Sequence, residues 1–323
     1  MRVKPYLVFF RWHTASLTIP AMLVGIYLAG QPLFSWTTLV WILAGWLFHA
    51  TGFAHNNLAD YKWDKEDKSK QHHPMITGEV SVEVAYGLVY IFFFISTALI
   101  TALTVHSKIA FALFIITVFA GIGYNYLSKI TLISPILISI CFGFLPGVSY
   151  FAYSDNVNTG ILLVLGYAFF QILFQISVEG YIKDIEHDPV NLYRKFGCKV
   201  ENGEYKGTLI SKLYGYAIKM PMVIFGSWIG LYYHTSIYAI VIAILIFLCV
   251  LCCVDYLVMN KKWKRDNILR ACAITEILTY FGLVFVGEGV WGWEGVLFLV
   301  GFPIAWFIIW NKIYWNTWIR PQV

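Results

Sequence analysis

Charge is scarce in this chain: only 13% of its 323 residues are Asp, Glu, Lys or Arg, about half the usual share of a soluble domain. So little charge cannot solvate a chain of this length, and no basic stripe offers itself to a nucleic-acid backbone. The six cysteines, Cys141, Cys198, Cys249, Cys252, Cys253 and Cys272, sit mostly inside apolar runs without a ligand-like pairing of Cys and His. They read as buried thiols. No polar segment is long enough to fold as a separate soluble domain. The first apolar stretch, after Met1-Arg2-Val3-Lys4, is too long for the core of a signal peptide, and no small-residue cleavage site follows it. It therefore reads as a first span.

What the chain has instead is 59% hydrophobic and 18% aromatic residues. Apolar runs of about 20 residues, enough to cross about 30 Å of hydrocarbon as a helix, recur from end to end. Hydropathy and turn signals place them at 12–30, 37–56, 80–105, 108–127, 132–153, 158–181, 212–233, 236–258, 268–288 and 292–311. The fold class that follows is all-α, a polytopic membrane helix bundle forming a single transmembrane domain over 1–323. Lys and Arg collect on cytoplasmic loops. With cytoplasmic N- and C-termini, 22 of the 23 basic residues fall on that side and only Lys108 is left outside. A nine-span reading strands Lys312 and Arg320 on the wrong face.

Two loops hold most of the polar residues, 57–79 and 182–211, both cytoplasmic in this topology. The first opens on Asn56, Asp60 and Asp64, spaced by four and therefore stacked on one helical face. The second opens on Asp184 and Asp188, again four apart at the end of a span. Four helices separate the two motifs, so both halves enter the membrane in the same sense, as in an internal repeat, and the acidic ends can face each other. Between Phe196 and Gly207, an Asn202-Gly203 pair flanked by alternating residues reads as a short cytoplasmic β-hairpin inserted at about 196–207.

Carboxylates at a membrane mouth are costly unless cations sit on them. Mg²⁺ takes oxygen ligands from carboxylates together with substrate phosphates. Two D-x-x-x-D pairs, with Lys68, Lys70, Lys129 and Lys183 nearby, thus suit Mg²⁺ ions, two or more, bridging a diphosphate. Metal and lysine contacts that strengthen as a leaving diphosphate gains charge lower the barrier to ionising an allylic diphosphate. Aromatic side chains shield the resulting cation from water, and an acceptor then attacks it.

These residues give the chain a resemblance to the UbiA-type intramembrane prenyltransferase superfamily. Its N-x-x-x-D-x-x-x-D motif after the second helix is matched by Asn56, Asp60 and Asp64, and its D-x-x-x-D after the sixth by Asp184 and Asp188. A Tyr and a Lys closing the fourth helix correspond to Tyr124 and Lys129, and a Pro-x-x-x-Gly segment to Pro74 and Gly78. Arg11, Thr14, Pro20, Val24 and Gly25 look like the opening of 1,4-dihydroxy-2-naphthoate prenyltransferases. The resemblance covers about 8–288 and implies a nine-helix prenyltransferase core, with the span at 292–311 as an extra tenth. It implies Asp60, Asp64, Asp184 and Asp188 as catalytic residues, which with Asn56 hold the metal. Asn56, Lys68, Lys70, Lys129, Lys183, Tyr124 and Arg11 bind the diphosphate. His73 stands where the family usually has Arg, and Asn57 where it often has Asp.

The implied partners are a polyprenyl diphosphate, a lipophilic acceptor and the lipid bilayer. The acceptor expected is an aromatic quinone precursor, and a glycerol-phosphate or other non-aromatic acceptor is the runner-up. A divalent-cation transporter is the alternative from another class, but it calls for ionisable groups at several depths. Glu276 in the ninth span is the main acid away from the motifs, with a structural partner or the acceptor as its contact. The single lysines of 62–70 also serve topology alone, and the Trp-rich tail from Trp306 to Trp318 reads as an interfacial belt.

Overall fold

In the computed structural model, residues 4–32, 34–66 and 70–316 are described. The long helices are α1 (Ala15–Leu28), α2 (Trp36–Ala59), α3 (Val82–Thr104), α4 (Lys108–Leu127) and α5 (Ser134–Phe151). They are followed by α6 (Thr159–Phe174), α7 (Leu209–Tyr232), α8 (Ile237–Val258), α9 (Arg265–Val286) and α10 (Glu288–Trp315). Half of them begin where a short polar side chain can accept a bond from an otherwise unsatisfied backbone N–H. Ser35, Ser81, Asn158 and Ser236 cap α2, α3, α6 and α8 in this way, and Thr208 and Ser211 form a reciprocal capping box on α7.

Eight helices among the described residues are long and apolar enough to cross a membrane. The run read as 12–30 forms only a shorter apolar helix. The run read as 212–233 lies in the 24-residue α7, which is not one of the eight and carries Lys212 and the fully buried Lys219. Proline is tolerated inside membrane helices because neighbouring groups satisfy the freed carbonyls. Pro20, Pro221 and Pro303 lie inside α1, α7 and α10.

The chain divides into two compact units. The first comprises residues 1–126, 145–156 and 301–320. Within it α1 packs on α2 and on the second half of α5. A Cβ on Gly25 would stand 2.1 Å from Pro146 O and from Ser149 Oγ, so only glycine permits this approach. Ser149 Oγ uses the proximity to donate to Met22 O at 2.7 Å. The tail rings pack on the N-terminal segment: Trp306 Nε1 donates to Trp12 O at 2.8 Å, and the Trp12 ring lies 4.5 Å from Trp46 and 5.6 Å from Trp310.

The second unit comprises 127–144, 157–300 and 321–323. Within it α6 packs on α7 and on the first half of α5, and α8 packs on α9. After Phe174 the helix continues as a π-turn, Gln175–Gly180, and a last α-turn, Tyr181–Lys183, before the second acidic motif. Beyond the motif, β1 (Lys199–Glu201) and β2 (Glu204–Lys206) pair antiparallel. Asn202 and Gly203 between them have φ of 51° and 72°, the left-handed values of a two-residue hairpin turn. A third strand, β3 (Lys261–Lys262), pairs with β2. Tyr205 is buried under it with its ring stacked on Trp263.

Candidate functional site

Each unit carries one of the two acidic motifs. In the first, α2 ends at Ala59 and a short helix, Tyr61–Asp64, carries on almost without a break. Asp60 N bonds to Asn56 O at 2.8 Å and Asp64 N to Asp60 O at 2.9 Å. The helical spacing is therefore preserved through the motif, which stacks the three side chains. Asn56 Nδ2 donates to Asp60 Oδ2 at 3.1 Å. Asp64 is buried and has Lys70 Nζ at 3.5 Å.

Arg11 is held beside this motif rather than free to wander. Its Nη2 donates to Asn57 Oδ1 at 2.9 Å while Asn57 Nδ2 donates to Phe9 O at 2.8 Å. The buried Asn57 thus ties the segment before α1 to the end of α2, and the Arg11 guanidinium lies over the Phe53 ring at 5.3 Å. Tyr124 is half-buried near the end of α4. Its neighbour Asn125 ties that end to α2 through His55 at 2.7 Å. Lys68 lies outside the described residues.

His73 follows in the same loop. Burial, helped by the positive charges of Arg11, Lys70 and His72, pulls its pKa from the ordinary 6.5 down to about 3. Its Nδ1 accepts from Met75 N at 3.4 Å. A neutral imidazole there adds no further positive charge beside Arg11 and Lys70.

In the second half, α6 and its extension deliver Asp184 at the last turn, and Asp188 N bonds to Asp184 O at 3.0 Å. One turn again separates the two carboxylates. Lys129 Nζ pairs with Asp188 at 2.5 Å and Lys183 Nζ lies 4.0 Å from Asp184. Burial pushes the Asp188 carboxyl up, and Lys129 opposes it. Asn191 closes the loop by donating to Tyr181 O at 2.8 Å and capping Tyr193 and Arg194.

Two residues at this half were not singled out from the sequence. Arg265 Nη2 donates to Asp184 Oδ1 at 2.9 Å, and Trp263 Nε1 to Glu186 Oε2 at 3.1 Å. Both follow β3 directly, so the small sheet fixes the segment that reaches the motif: Trp263 N bonds to Gly203 O at 2.7 Å, and Tyr205 pairs with Lys261. In the sequence Arg265 is one of five basic residues in 261–270, where topology alone accounts for them. Its only other signal is that it opens a span, as Asp184 closes one. Thr208 caps α7, and Lys206 pairs with Glu204 on the exposed hairpin.

Among the described residues no three His, Cys, Asp or Glu side chains lie together as a metal-binding group. Each half instead offers hard oxygen donors with a cation beside them. That donor set fits Mg²⁺, which is commonly held by one or two carboxylates and completed by substrate phosphates.

The UbiA prenyltransferase family model matches residues 18–270. The chain belongs to that family of prenyl-transferring enzymes. No curated protein matches the sequence. Among solved structures, the chain is similar to a UbiA homologue from Aeropyrum pernix K1 in its apo form, with 14% identity, a TM-score of 0.65 and coverage of 86% of this chain and 96% of that one. A digeranylgeranylglyceryl phosphate synthase gives 15% identity and a TM-score of 0.65, with 89% and 98% covered. A UbiA homologue from Archaeoglobus fulgidus, in a structure bound to DMAPP and Mg²⁺, gives 15%, 0.59, and 86% and 98%. At these identities the likeness is one of fold.

Proposed function

We propose that this protein transfers a polyprenyl group from an allylic polyprenyl diphosphate to a lipophilic aromatic acceptor, a quinone precursor, with both acidic motifs acting on one diphosphate. The observation that carries the reading is that each half of the site presents two carboxylate residues one helical turn apart, each half with its own cations: Lys70 on Asp64, Arg265 and Lys183 on Asp184, Lys129 on Asp188. The Archaeoglobus fulgidus homologue binds a prenyl diphosphate and Mg²⁺, the ligands these side chains suit.

Asn56, Asp60, Asp64, Asp184 and Asp188 would hold Mg²⁺, which supplies Lewis-acid neutralisation of the departing diphosphate. The chain's own cations do the rest. Lys70, Lys129, Lys183 and Arg265 exchange carboxylate contacts for diphosphate oxygens as charge builds there. Arg11, fixed by Asn57, and Tyr124 complete the binding of the diphosphate. Aromatic side chains around the site would shield the allylic cation from water. The collection of Lys and Arg on the loops that carry the motifs supports a mouth on the cytoplasmic face.

The acceptor assignment rests on the likeness of Arg11, Thr14, Pro20, Val24 and Gly25 to the dihydroxynaphthoate enzymes. Purified protein in liposomes, given geranylgeranyl diphosphate and Mg²⁺ with either dihydroxynaphthoate or a glycerol phosphate, tests it. Prenylated aromatic product supports the assignment. Prenylated glycerol phosphate alone overturns it while keeping prenyl transfer. Mg²⁺ flux without either product replaces the enzyme by a transporter.

A further inference from the structure

Two stretches from opposite ends of the chain meet within the first unit: residues 4–14 and residues 301–315 of α10. Neither lies within residues 18–270, where the family model matches. The first stretch carries Arg11, and at Arg11 it bends. With φ 48° and ψ 39° this residue is left-handed, between a short helix at Lys4–Phe9 and a 3-10 turn at Trp12–Thr14. A residue with a Cβ keeps that conformation only where its surroundings over-determine it.

The surroundings of Arg11 act from two sides. On one side is α2. Arg11 O accepts from Thr14 N and Thr14 Oγ1, both at 2.9 Å, and lies 3.3 Å from His49 Nε2. The two His49 ring nitrogens are each 2.8 Å from a hydroxyl, Thr14 at one and Thr18 at the other, while Asn57 bonds both the guanidinium and Phe9 O. On the other side is the tail. Trp306 Nε1 donates to Trp12 O at 2.8 Å and the Tyr314 hydroxyl donates to Leu7 O at 2.9 Å, so the two bonds bracket Arg11.

The second of these bonds belongs to the bend itself. Phe10 N bonds to Tyr6 O and Arg11 N to Val8 O, which takes from Leu7 O both of the backbone donors that a continuing helix offers it. The Tyr314 hydroxyl stands in for them. The rings add burial: His13 is 7% exposed, with Tyr314 and Trp315 edge-on to it at 5.2 and 4.8 Å. Packing alone buries a segment; bonds directed at its carbonyls also fix its register.

We propose that residues 301–315 of α10 are a buttress for Arg11, with Trp306 and Tyr314 as positioning residues that hold the bend from which the guanidinium meets the diphosphate. This rests on the reading above, in which Arg11 binds that diphosphate. Without the two bonds the stretch keeps its contacts to α2 but holds the bend for only part of the time. A binding group in place for a fraction of the time weakens the apparent affinity by that fraction.

The test uses the full chain in liposomes with Mg²⁺, dihydroxynaphthoate and varied geranylgeranyl diphosphate, taking kcat and KM from released diphosphate. Trp306→Phe and Tyr314→Phe each keep a ring and remove one donor, and each is made with and without Arg11→Ala. Either tail variant alone raises KM about threefold to tenfold with kcat within about twofold, and Arg11→Ala raises KM by about tenfold or more. In the Arg11→Ala background neither tail variant raises KM again, because residues that act through a third lose their effect when it is gone. If Trp306→Phe fails to fold, Tyr314→Phe, which loses only a hydroxyl, carries the same comparison. An equal rise in both backgrounds marks a structural role independent of Arg11 and overturns the inference, as does an unchanged KM in both tail variants. Arg11→Ala with an unchanged KM removes Arg11 from the diphosphate and overturns the inference, while a wild type that still releases diphosphate keeps the prenyl-transfer reading. A wild type that releases none overturns that reading itself, and this inference with it.

Discussion

Arg265 Nη2 donates to Asp184 Oδ1 at 2.9 Å, so the residue that opens α9 holds the first aspartate of the second motif from 81 positions away. A hydrogen bond between two charged groups contributes about 1.5–3 kcal/mol. If Arg265 both orients Asp184 and meets the diphosphate, Arg265→Ala lowers kcat/KM for the prenyl diphosphate about 10- to 100-fold. Arg265→Lys recovers only part of this, since a point charge replaces a planar fork. Steady-state kinetics of the two variants measure it, and unchanged kinetics in Arg265→Ala would remove Arg265 from the site.

Acid sensitivity is predicted from His73. Its pKa falls from 6.5 to about 3 in the folded protein, so between those values the unfolded chain binds the proton and the folded one does not. Stability from this group is present above about pH 6.5 and is lost as pH falls toward 3. Thermal unfolding in detergent at pH 7, 6, 5 and 4 follows this directly. The wild type loses stability across the series faster than His73→Gln, and identical slopes would contradict the assignment.

How much of this was legible in the sequence depended on range. The apolar runs were, because burial in hydrocarbon demands about 20 residues at a time, and α4 at Lys108–Leu127 and α8 at Ile237–Val258 begin and end within a residue of the runs read for them. The spacing of Asn56, Asp60 and Asp64 carried into the structure because an i, i+4 pattern is local. Arg265 on Asp184 and β3 on β2 were not legible, since pairing over 55 residues or more leaves no periodicity to read. Trp306 was hidden differently: in a Trp-rich tail it passes for part of an interfacial belt, and nothing in single-sequence hydropathy announces its bond to Trp12 O. Span-counting placed 212–233 with the rest, where α7 instead combines a long helix with a buried Lys219.

Close helix packing gives a prediction independent of the chemistry. Gly25 has no room for a methyl group, with Pro146 O and Ser149 Oγ both 2.1 Å from the Cβ it would carry, whereas Gly52 on α2 has nothing within 4 Å. Gly25→Ala forces α1 and α5 apart and destabilises by about 1–3 kcal/mol, while Gly52→Ala is neutral or slightly stabilising by helix propensity. Detergent-solubilised Tm values separate the two. Equal Tm values would mean that the contact at Gly25 yields freely.

The measurement that bears most directly on the account is Mg²⁺-dependent release of diphosphate from geranylgeranyl diphosphate by the protein in liposomes, beside Asp60→Asn and Asp184→Asn. Each substitution keeps the shape of its side chain and removes one charge from one half of the site. Both halves acting on one diphosphate predict that chelating Mg²⁺ abolishes release and that either substitution alone lowers it about 100-fold or more. Release that survives chelation, or that survives either substitution at the wild-type rate, would contradict a shared site.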